Sequence, residues 1–270
     1  MNRAQPTPGS TALVIGAGAV GLLTAAMARQ AGCSTVTIAD VDQGRVDFAL
    51  AKGFATHGYV VPQLLHPSSS CSSIYGGGSS ASSSGTSTPI DGVMTPASTL
   101  SMQSRFDHAK SLAAEMLALS SPSSSSNPLF ANDDPNDEDD GVDVTFECTG
   151  KEVCMHTSLY ATRAGGRVIM VGMGTPVQTL PMSVAHLREI DILGIFRYAN
   201  TYATGIRLLC ARERMAKSGA GPTGGWVLPS LDEMVTHRFK GLENAHRAFE
   251  LASRTVDAEG RLVLKVVIEA

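Results

Sequence analysis

The stretch Thr11–Gly21, T-A-L-V-I-G-A-G-A-V-G, constrains this chain more than any other. Leu13, Val14 and Ile15 form a short apolar run, and glycines at 16, 18 and 21 follow with G-x-G-x-x-G spacing. Such a run reads as strand, tight turn and helix. Gly16 permits the turn, Gly18 leaves room for a pyrophosphate to approach the backbone, and Gly21 lets the helix lie close on the strand. The unpaired N–H groups at the start of that helix then face the phosphates. Residues 12–28 carry no charge, so a signal peptide or a short membrane span competes with this reading. The following residues weigh against it, because they complete a strand–helix–strand unit in register.

The helix after Gly18 places Val20, Leu23, Met27 and Ala31 at three- and four-residue spacing, a face expected to cover the sheet, and Gly32 is placed to end it. Thr35–Asp40, T-V-T-I-A-D, has the β-branched density of a buried parallel strand and stops on a carboxylate. Asp40 lies 22 residues beyond Gly18, close to the interval at which such units place an acid on the adenosine ribose. A carboxylate there accepts hydrogen bonds from both ribose hydroxyls. A 2′-phosphate would instead meet like charge from Asp40 and Asp42, a repulsion on the order of 4 kcal/mol at about 4 Å and an effective dielectric of about 20. NAD is therefore expected over NADP. Arg45 is expected to stack near the adenine rather than to hold a 2′-phosphate.

A helix over about 42–52 and a third strand within 55–61 follow. Residues 63–104 are dominated by serine and glycine and read as an insertion without regular structure. Phe106–Leu119 recovers helical periodicity. A second insertion, 121–140, ends in an acidic run without calcium-loop spacing. Val142–Cys148 is the next expected strand, closed by Thr149 and Gly150, with a helix over about 152–164. G-G-R-V-I-M-V-G-M-G gives another strand, Asp191–Tyr198 a sixth, and a helix runs to about Lys217. This alternation implies an α/β chain with a doubly wound, parallel Rossmann sheet over 11–217, interrupted by the two insertions. Ligands of such sheets sit at the carboxyl ends of the strands, where Thr149, Val171–Met173 and Ile195–Arg197 fall. The tail, 226–270, reads as strand, helix and strand, does not continue the alternation, and looks like part of another sheet.

With 270 residues and 43% hydrophobic content, the chain can bury one substantial core. A net charge of −4 and a pI near 6.0 offer no basic field for nucleic acid. No later apolar run is long enough to span a bilayer. Five cysteines without a C-x-x-C pair suggest neither a disulfide framework nor a zinc knuckle, and a cytoplasmic setting is expected.

With E-C-T-G at 147–150, V-G-M-G at 171–174, R-E-I-D-I-L-G-I-F-R-Y-A-N-T-Y from Arg188 to Tyr202, and V-T-H-R-F at 235–239, the chain resembles the sorbitol (polyol) dehydrogenases, zinc-type medium-chain dehydrogenases. The resemblance covers nearly all of the chain outside the two insertions. It implies NAD contacts from Val20, Asp40, Arg45, Val171, Gly172, Met173, Ile195, Phe196 and Arg197, and polyol contacts from Arg197 and Tyr198. It also implies hydride transfer from a polyol secondary alcohol to NAD, pairing of copies through the sheet edge near 191–196, and a tail that is a remnant of the catalytic domain. The family holds zinc in a domain upstream of the dinucleotide domain, with cysteine, histidine and glutamate. This chain begins just before the first Rossmann strand, and no His-Glu dipeptide occurs among its seven histidines. Cys148, Cys154 and His156 form the only local Cys/His cluster and read as structural. No metal ligands and no complete catalytic set are expected here. Three functions stay open: the family's enzyme, a noncatalytic NAD-binding protein, and an interaction module working through its serine-rich and acidic tracts.

Overall fold

The computed structural model of the chain describes residues 1–62, 101–120, 141–198, 200–217 and 228–269. Six strands form one parallel sheet: β1 (Thr11–Ile15), β2 (Thr35–Asp40), β3 (His57–Val60), β4 (Val142–Glu147), β5 (Thr162–Met170) and β6 (Asp191–Gly194), in the order β3-β2-β1-β4-β5-β6. The expected doubly wound α/β fold is therefore present. Chain direction across the sheet reverses between β1 and β4, and this switch point opens a crevice at the carboxyl ends of the two central strands.

Both faces of the sheet are covered, which is why its strands read as nearly continuous apolar runs. Successive residues of β1 point to opposite sides. Ala12 and Val14 join a core with Leu22, Ala25 and Ala26 of α1 (Ala19–Gln30) and Ala49 of α2 (Gln43–Ala51). Leu13 and Ile15 join a second core with Leu112, Ala113 and Met116 of α3 (Met102–Ser120) and Ala161 of α4 (Glu152–Ala161). Each fully buried leucine or isoleucine contributes about 1.5–3 kcal/mol relative to exposure. A third core joins α4 and β5 to α5 (Met182–Leu187), a short helix the apolar spacing did not announce.

The buried face of α1 differs from the expected one. Gly21, Leu22, Ala25, Ala26 and Ala28 are buried, whereas Val20 and Leu23 are exposed. A β-carbon on Gly21 would lie 1.7 Å from the Gly16 carbonyl oxygen. That approach fixes the rotation of the helix about its axis, so Leu22 and the small alanines, rather than Val20 and Leu23, face the sheet.

Other boundaries also move. Most of the first insertion (63–100) and all of the second (121–140) lie outside the described residues, but Met102–Ser104, counted within the first, are helical. Ser101 accepts a hydrogen bond from Ser104 N at 3.1 Å and so starts α3 earlier than the apolar pattern does. The helix expected to reach 164 ends at Ala161. Thr162 already pairs with Val142, its hydroxyl meets Thr145 at 2.8 Å, and a register shift before Val144 absorbs residues 163–166. β6 stops at Gly194, so residues 195–198 extend from the sheet without belonging to it.

The tail forms its own small sheet. β7 (Val235–Lys240), α7 (Ala245–Ala252) and β8 (Lys265–Glu269) make a parallel strand–helix–strand unit in a second sheet, apart from the six-stranded one. Leu228, Leu231, Met234 and Leu264 pack it onto the α1–α2 side of the main core, and Lys52 pairs with Glu233 across the contact.

Candidate functional site

Hydrogen bonds carry the sheet past the ends of its strands and make a continuous rim. Gly16 N donates to Ala39 O at 2.7 Å, Cys148 N to Ile15 O at 2.9 Å, Val171 N to Glu147 O at 2.8 Å and Ile195 N to Met170 O at 3.3 Å. The rim therefore runs from Asp40 through Gly16 and Cys148–Gly150 to Val171–Gly174, then out to Ile195–Tyr198.

At its centre the glycine turn is shaped for a ligand. Gly16 has φ +103°, and a β-carbon on it would touch Thr149 at 2.9 Å. A β-carbon on Gly18 would meet nothing within 4 Å, so the open space lies at the position that must admit a pyrophosphate. Gly18 caps α1 without a side-chain hydrogen bond, and the first helical bond runs from Leu22 N to Gly18 O at 2.9 Å. The N–H groups of Ala19, Val20 and Gly21 are therefore without intrahelical partners at the positive end of the helix.

Asp40 is tied into this turn. Its carboxylate accepts from Ala17 N at 2.6 Å through one oxygen and from Asp42 N at 3.0 Å through the other. Each oxygen retains a lone pair, enough for a ribose diol. Asp42 caps α2 through Arg45 N at 3.0 Å. The Arg45 guanidinium reaches toward Val263 O in the tail at 3.5 Å, and its Nε is buried without a hydrogen-bond partner among the described residues. Arg45 thus lies between α2 and the tail.

The charged group that shapes the rim most was missed in the sequence. Glu147 is 1% exposed. One of its carboxylate oxygens accepts from Thr149 N at 2.7 Å, from the Thr149 hydroxyl and from Gly150 N at 3.0 Å, and the other accepts from Gly150 N at 2.9 Å. It therefore folds the Thr149–Gly150 turn back over the strand end. Gly150, at φ +75°, then sits so close to the second glycine turn that its β-carbon would lie 2.4 Å from Gly174 N. The clue was a glutamate in an apolar strand, directly before C-T-G.

Val171, Gly172 and Met173 continue the rim, with Met173 81% exposed. Beyond β6, Ile195, Phe196, Arg197 and Tyr198 are all exposed. Arg197 adopts φ +52°, and its guanidinium lies 5.0 Å from the centre of the Phe196 ring. Tyr198 packs edge-on against Tyr202 of α6 (Tyr202–Lys217) at 5.2 Å. The cofactor candidates on β1, β4 and β5 are thus brought together, while Arg197 and Tyr198 stand on the outer end of the rim.

Among the described residues no group of three His, Cys, Asp or Glu side chains converges on a metal-sized site. Burial pushes the Cys148 thiol up to about 12 and raises that of Cys154. His156 is buried and turns Nε2 to Thr179 O at 2.7 Å. These three residues serve packing and hydrogen bonding, and they do not fit zinc. No helix among the described residues is long and apolar enough to cross a membrane.

Residues 97–211 match the family model of the zinc-binding dehydrogenases. Sorbitol dehydrogenase of Gallus gallus is 41% identical over 112 residues, 42% of this chain and 27% of that one. Over that stretch this chain is similar to the sorbitol dehydrogenases. Among solved structures, zinc-dependent alcohol dehydrogenase 2 from Streptococcus pneumonia matches 99% of this chain over 54% of its own length, at 18% identity and a TM-score of 0.61. An alcohol dehydrogenase from Escherichia coli CFT073, complexed with NADH, matches 98% of this chain over 53% of its own, at 15% identity and a TM-score of 0.57. At those identities the likeness concerns the fold. The chain spans about half the length of these structures and aligns with about a quarter of the sorbitol dehydrogenase.

Proposed function

We propose that this chain is the NAD-binding portion of a sorbitol dehydrogenase-like oxidoreductase and binds NAD(H) along the carboxyl-end rim. One observation carries the reading: Gly18 is open where the glycines around it are in contact, and Asp40 hydrogen-bonds the backbone of that same turn. The free N–H groups at the start of α1 would hold the pyrophosphate beside Gly16, Gly18, Val20 and Gly21. Asp40 would hold the adenosine ribose, with Arg45 bordering the adenine. Thr149, Val171, Gly172, Met173, Ile195, Phe196 and Arg197 would line the nicotinamide half. When bound, NAD supplies the hydride acceptor for a polyol secondary alcohol. Arg197 and Tyr198 would orient the polyol by donating hydrogen bonds to its hydroxyls, but a guanidinium has no lone pair with which to take the alcohol proton. No described residues fit zinc, so the group that activates the alcohol is supplied from outside the described residues. The domain division follows: residues 11–217 bind the dinucleotide, and the 226–270 segment belongs with a catalytic portion.

The experiment is a titration of the purified chain with NADH and NADPH, for the parent and Asp40→Ala, beside an assay with NAD, sorbitol and added zinc. NADH binding is expected without turnover. Asp40→Ala should weaken NADH binding about tenfold, one charge-assisted hydrogen-bond pair lost, while narrowing the gap to NADPH. An unchanged preference would remove Asp40 as selector, and zinc-dependent turnover by this chain alone would overturn the division of labour. A second reading, noncatalytic NAD binding, is favoured by the absence of a convergent metal-ligand group among the described residues. Both readings expect NADH binding without turnover by this chain alone; they part when a zinc-holding catalytic portion is added, which yields turnover under the first reading and none under the second.

A further inference from the structure

The segment between β5 and α5 carries Val171–Met173, and its two ends are held in different ways. At the near end Val171 N and Gly172 N both donate to Glu147 O at 2.8 Å, and Thr175 N donates to Gly150 O at 3.2 Å. At the far end both backbone polar groups of one residue, Thr179, are held by side chains one turn apart on α4. Thr179 N donates to Glu152 Oε2 at 2.7 Å, and Thr179 O accepts from His156 Nε2 at 2.7 Å. Between the two anchors the chain presents Met173 and Val177, 81% and 80% exposed, and the Gln178 side chain ties it to Gly150 O at 3.3 Å, so its far end depends on the hold on Thr179.

The two clamping side chains are themselves held. The other carboxylate oxygen of Glu152 takes a 2.5 Å ion pair from Arg105 in the first turns of α3. The His156 ring meets the edge of Phe106, next in sequence, at 4.9 Å. His156 donates through Nε2, which leaves Nδ1 as a buried acceptor without a partner among the described residues. A buried orphan atom disfavours the site unless the bond at the other nitrogen is worth its cost. Arg105 and Phe106 thus lock from α3 the two residues that lock Thr179 from α4.

We propose that Glu152 and His156 are positioning residues: by clamping Thr179 they hold the 171–179 segment against the nicotinamide end of the cofactor, and Arg105 and Phe106 couple that segment to α3. The proposal rests on the reading of Val171–Met173 as cofactor contacts. None of the four residues touches the cofactor positions directly. Their effect is therefore selective: the nicotinamide half of the ligand senses the clamp, and the adenosine half, held at Asp40 and Gly18, does not.

The test compares NADH with ADP-ribose, which lacks the nicotinamide, as titrants of the full chain, and follows amide hydrogen exchange at 172–180 without ligand. The variants are Glu152→Ala, Glu152→Gln, His156→Leu and His156→Gln, each checked by circular dichroism for native helix content. Glu152→Ala and His156→Leu should weaken NADH binding about tenfold, leave ADP-ribose within about twofold, and accelerate exchange at Thr179 by about tenfold or more. The glutamine variants keep an acceptor for Thr179 N and a donor for Thr179 O respectively, and should recover most of both effects. If the Ala and Leu variants do not fold, the glutamine variants against Arg105→Ala decide, since Arg105→Ala loosens Glu152 without removing it. Equal losses for NADH and ADP-ribose would reduce the pair to general stabilisers and overturn the proposal, as would unaltered exchange at Thr179. A parent chain that binds ADP-ribose but not NADH overturns the positioning role alone. One that binds neither overturns the cofactor reading, and the positioning role with it.

Discussion

From Asp40 to Gly174 the rim is held by buried hydrogen bonds and by glycine contacts too close for a β-carbon. Its outer end, Ile195–Tyr198, and the neighbouring start of α6 instead expose Phe196, Tyr198, Tyr202 and Ile206. Among the described residues β6 is paired on one side only, and Phe196, Tyr202 and Ile206 are 73%, 68% and 59% exposed. The course of the first region is specified by the chain itself, since the carboxylates of Asp40 and Glu147 and the glycine contacts tie its turns to one another. The second carries apolar area that only a further surface would bury. A second copy meeting the β6 edge would be one such surface.

The largest test of the contrast is Gly21→Val. Its β-carbon would have to share space with the Gly16 carbonyl, 1.7 Å away and fixed by the bond from Gly16 N to Ala39 O. Backbone cannot yield as a side chain can, so a loss of at least about 3 kcal/mol is expected, a fall in melting temperature of roughly 6–12 °C. Thermal unfolding followed by circular dichroism measures it. A shift under about 2 °C would mean that the glycine turn is looser than its contacts require.

Glu147→Gln comes next. An amide placed where the carboxylate accepts from Thr149 N and Gly150 N from both oxygens must turn an NH₂ toward a donor. Losing charge-assisted bonds inside a dry site costs about 2–3 kcal/mol. Faster amide exchange should be confined to 148–150 and 171–175. Uniform acceleration across the sheet would instead make Glu147 a general support.

Glu147 also marks where the sequence stopped being legible. The parallel sheet, the glycine turn and the place of Asp40 at the end of β2 could be read because each rests on local signals: β-branched runs, glycine spacing, and an acid at a strand end. The role of Glu147 depends on Thr149, Gly150 and Gly172 folding back around it, and the role of Glu152 on Thr179 and Arg105, 27 and 47 residues away. No periodicity encodes such closures. The buried face of α1 was misread for a related reason: hydrophobic spacing favoured Val20 and Leu23, whereas steric approach at Gly21 governs the helix.

Cysteines sharpen the comparison at intermediate size. Cys148 lies at the self-determined end with its thiol donating to Thr24 at 3.9 Å, and Cys210 lies exposed on α6. Iodoacetamide at pH 8 should alkylate Cys210 well before Cys148. Burial raises the Cys148 thiol from 9.0 to about 12 and that of Cys33 to about 11. Folding therefore favours the protonated thiols. Their contribution is fully present below pH 9 and is lost between about 9 and 12, as the unfolded chain sheds protons the native state retains. At pH 10.5 Cys148 alone accounts for up to about 2 kcal/mol of that loss. Melting temperatures under reductant should fall from pH 8 to 10.5, and fall less in Cys148→Ala relative to its own value at pH 8. Equal falls in both would assign the alkaline loss to other groups.

The smallest expected effect on stability belongs to Phe196→Ser. In the isolated chain Phe196 contacts the Arg197 guanidinium at 5.0 Å and otherwise faces water. An exposed cation–π pair is worth about 0.5–1 kcal/mol, and serine offers the backbone no new strain, so the melting temperature should move by no more than about 2–4 °C. The effect should appear in association. If copies meet along β6, removing an aromatic ring beside Ile195 strips apolar area from that contact, and sedimentation at a fixed concentration should shift toward monomer. A drop in melting temperature that grows with protein concentration would show Phe196 buried between copies, making the outer rim as determined as the inner one once assembled. A large drop in a chain monomeric at every concentration would show that the exposed half is held within the chain itself, and the contrast between the two ends of the rim would fail.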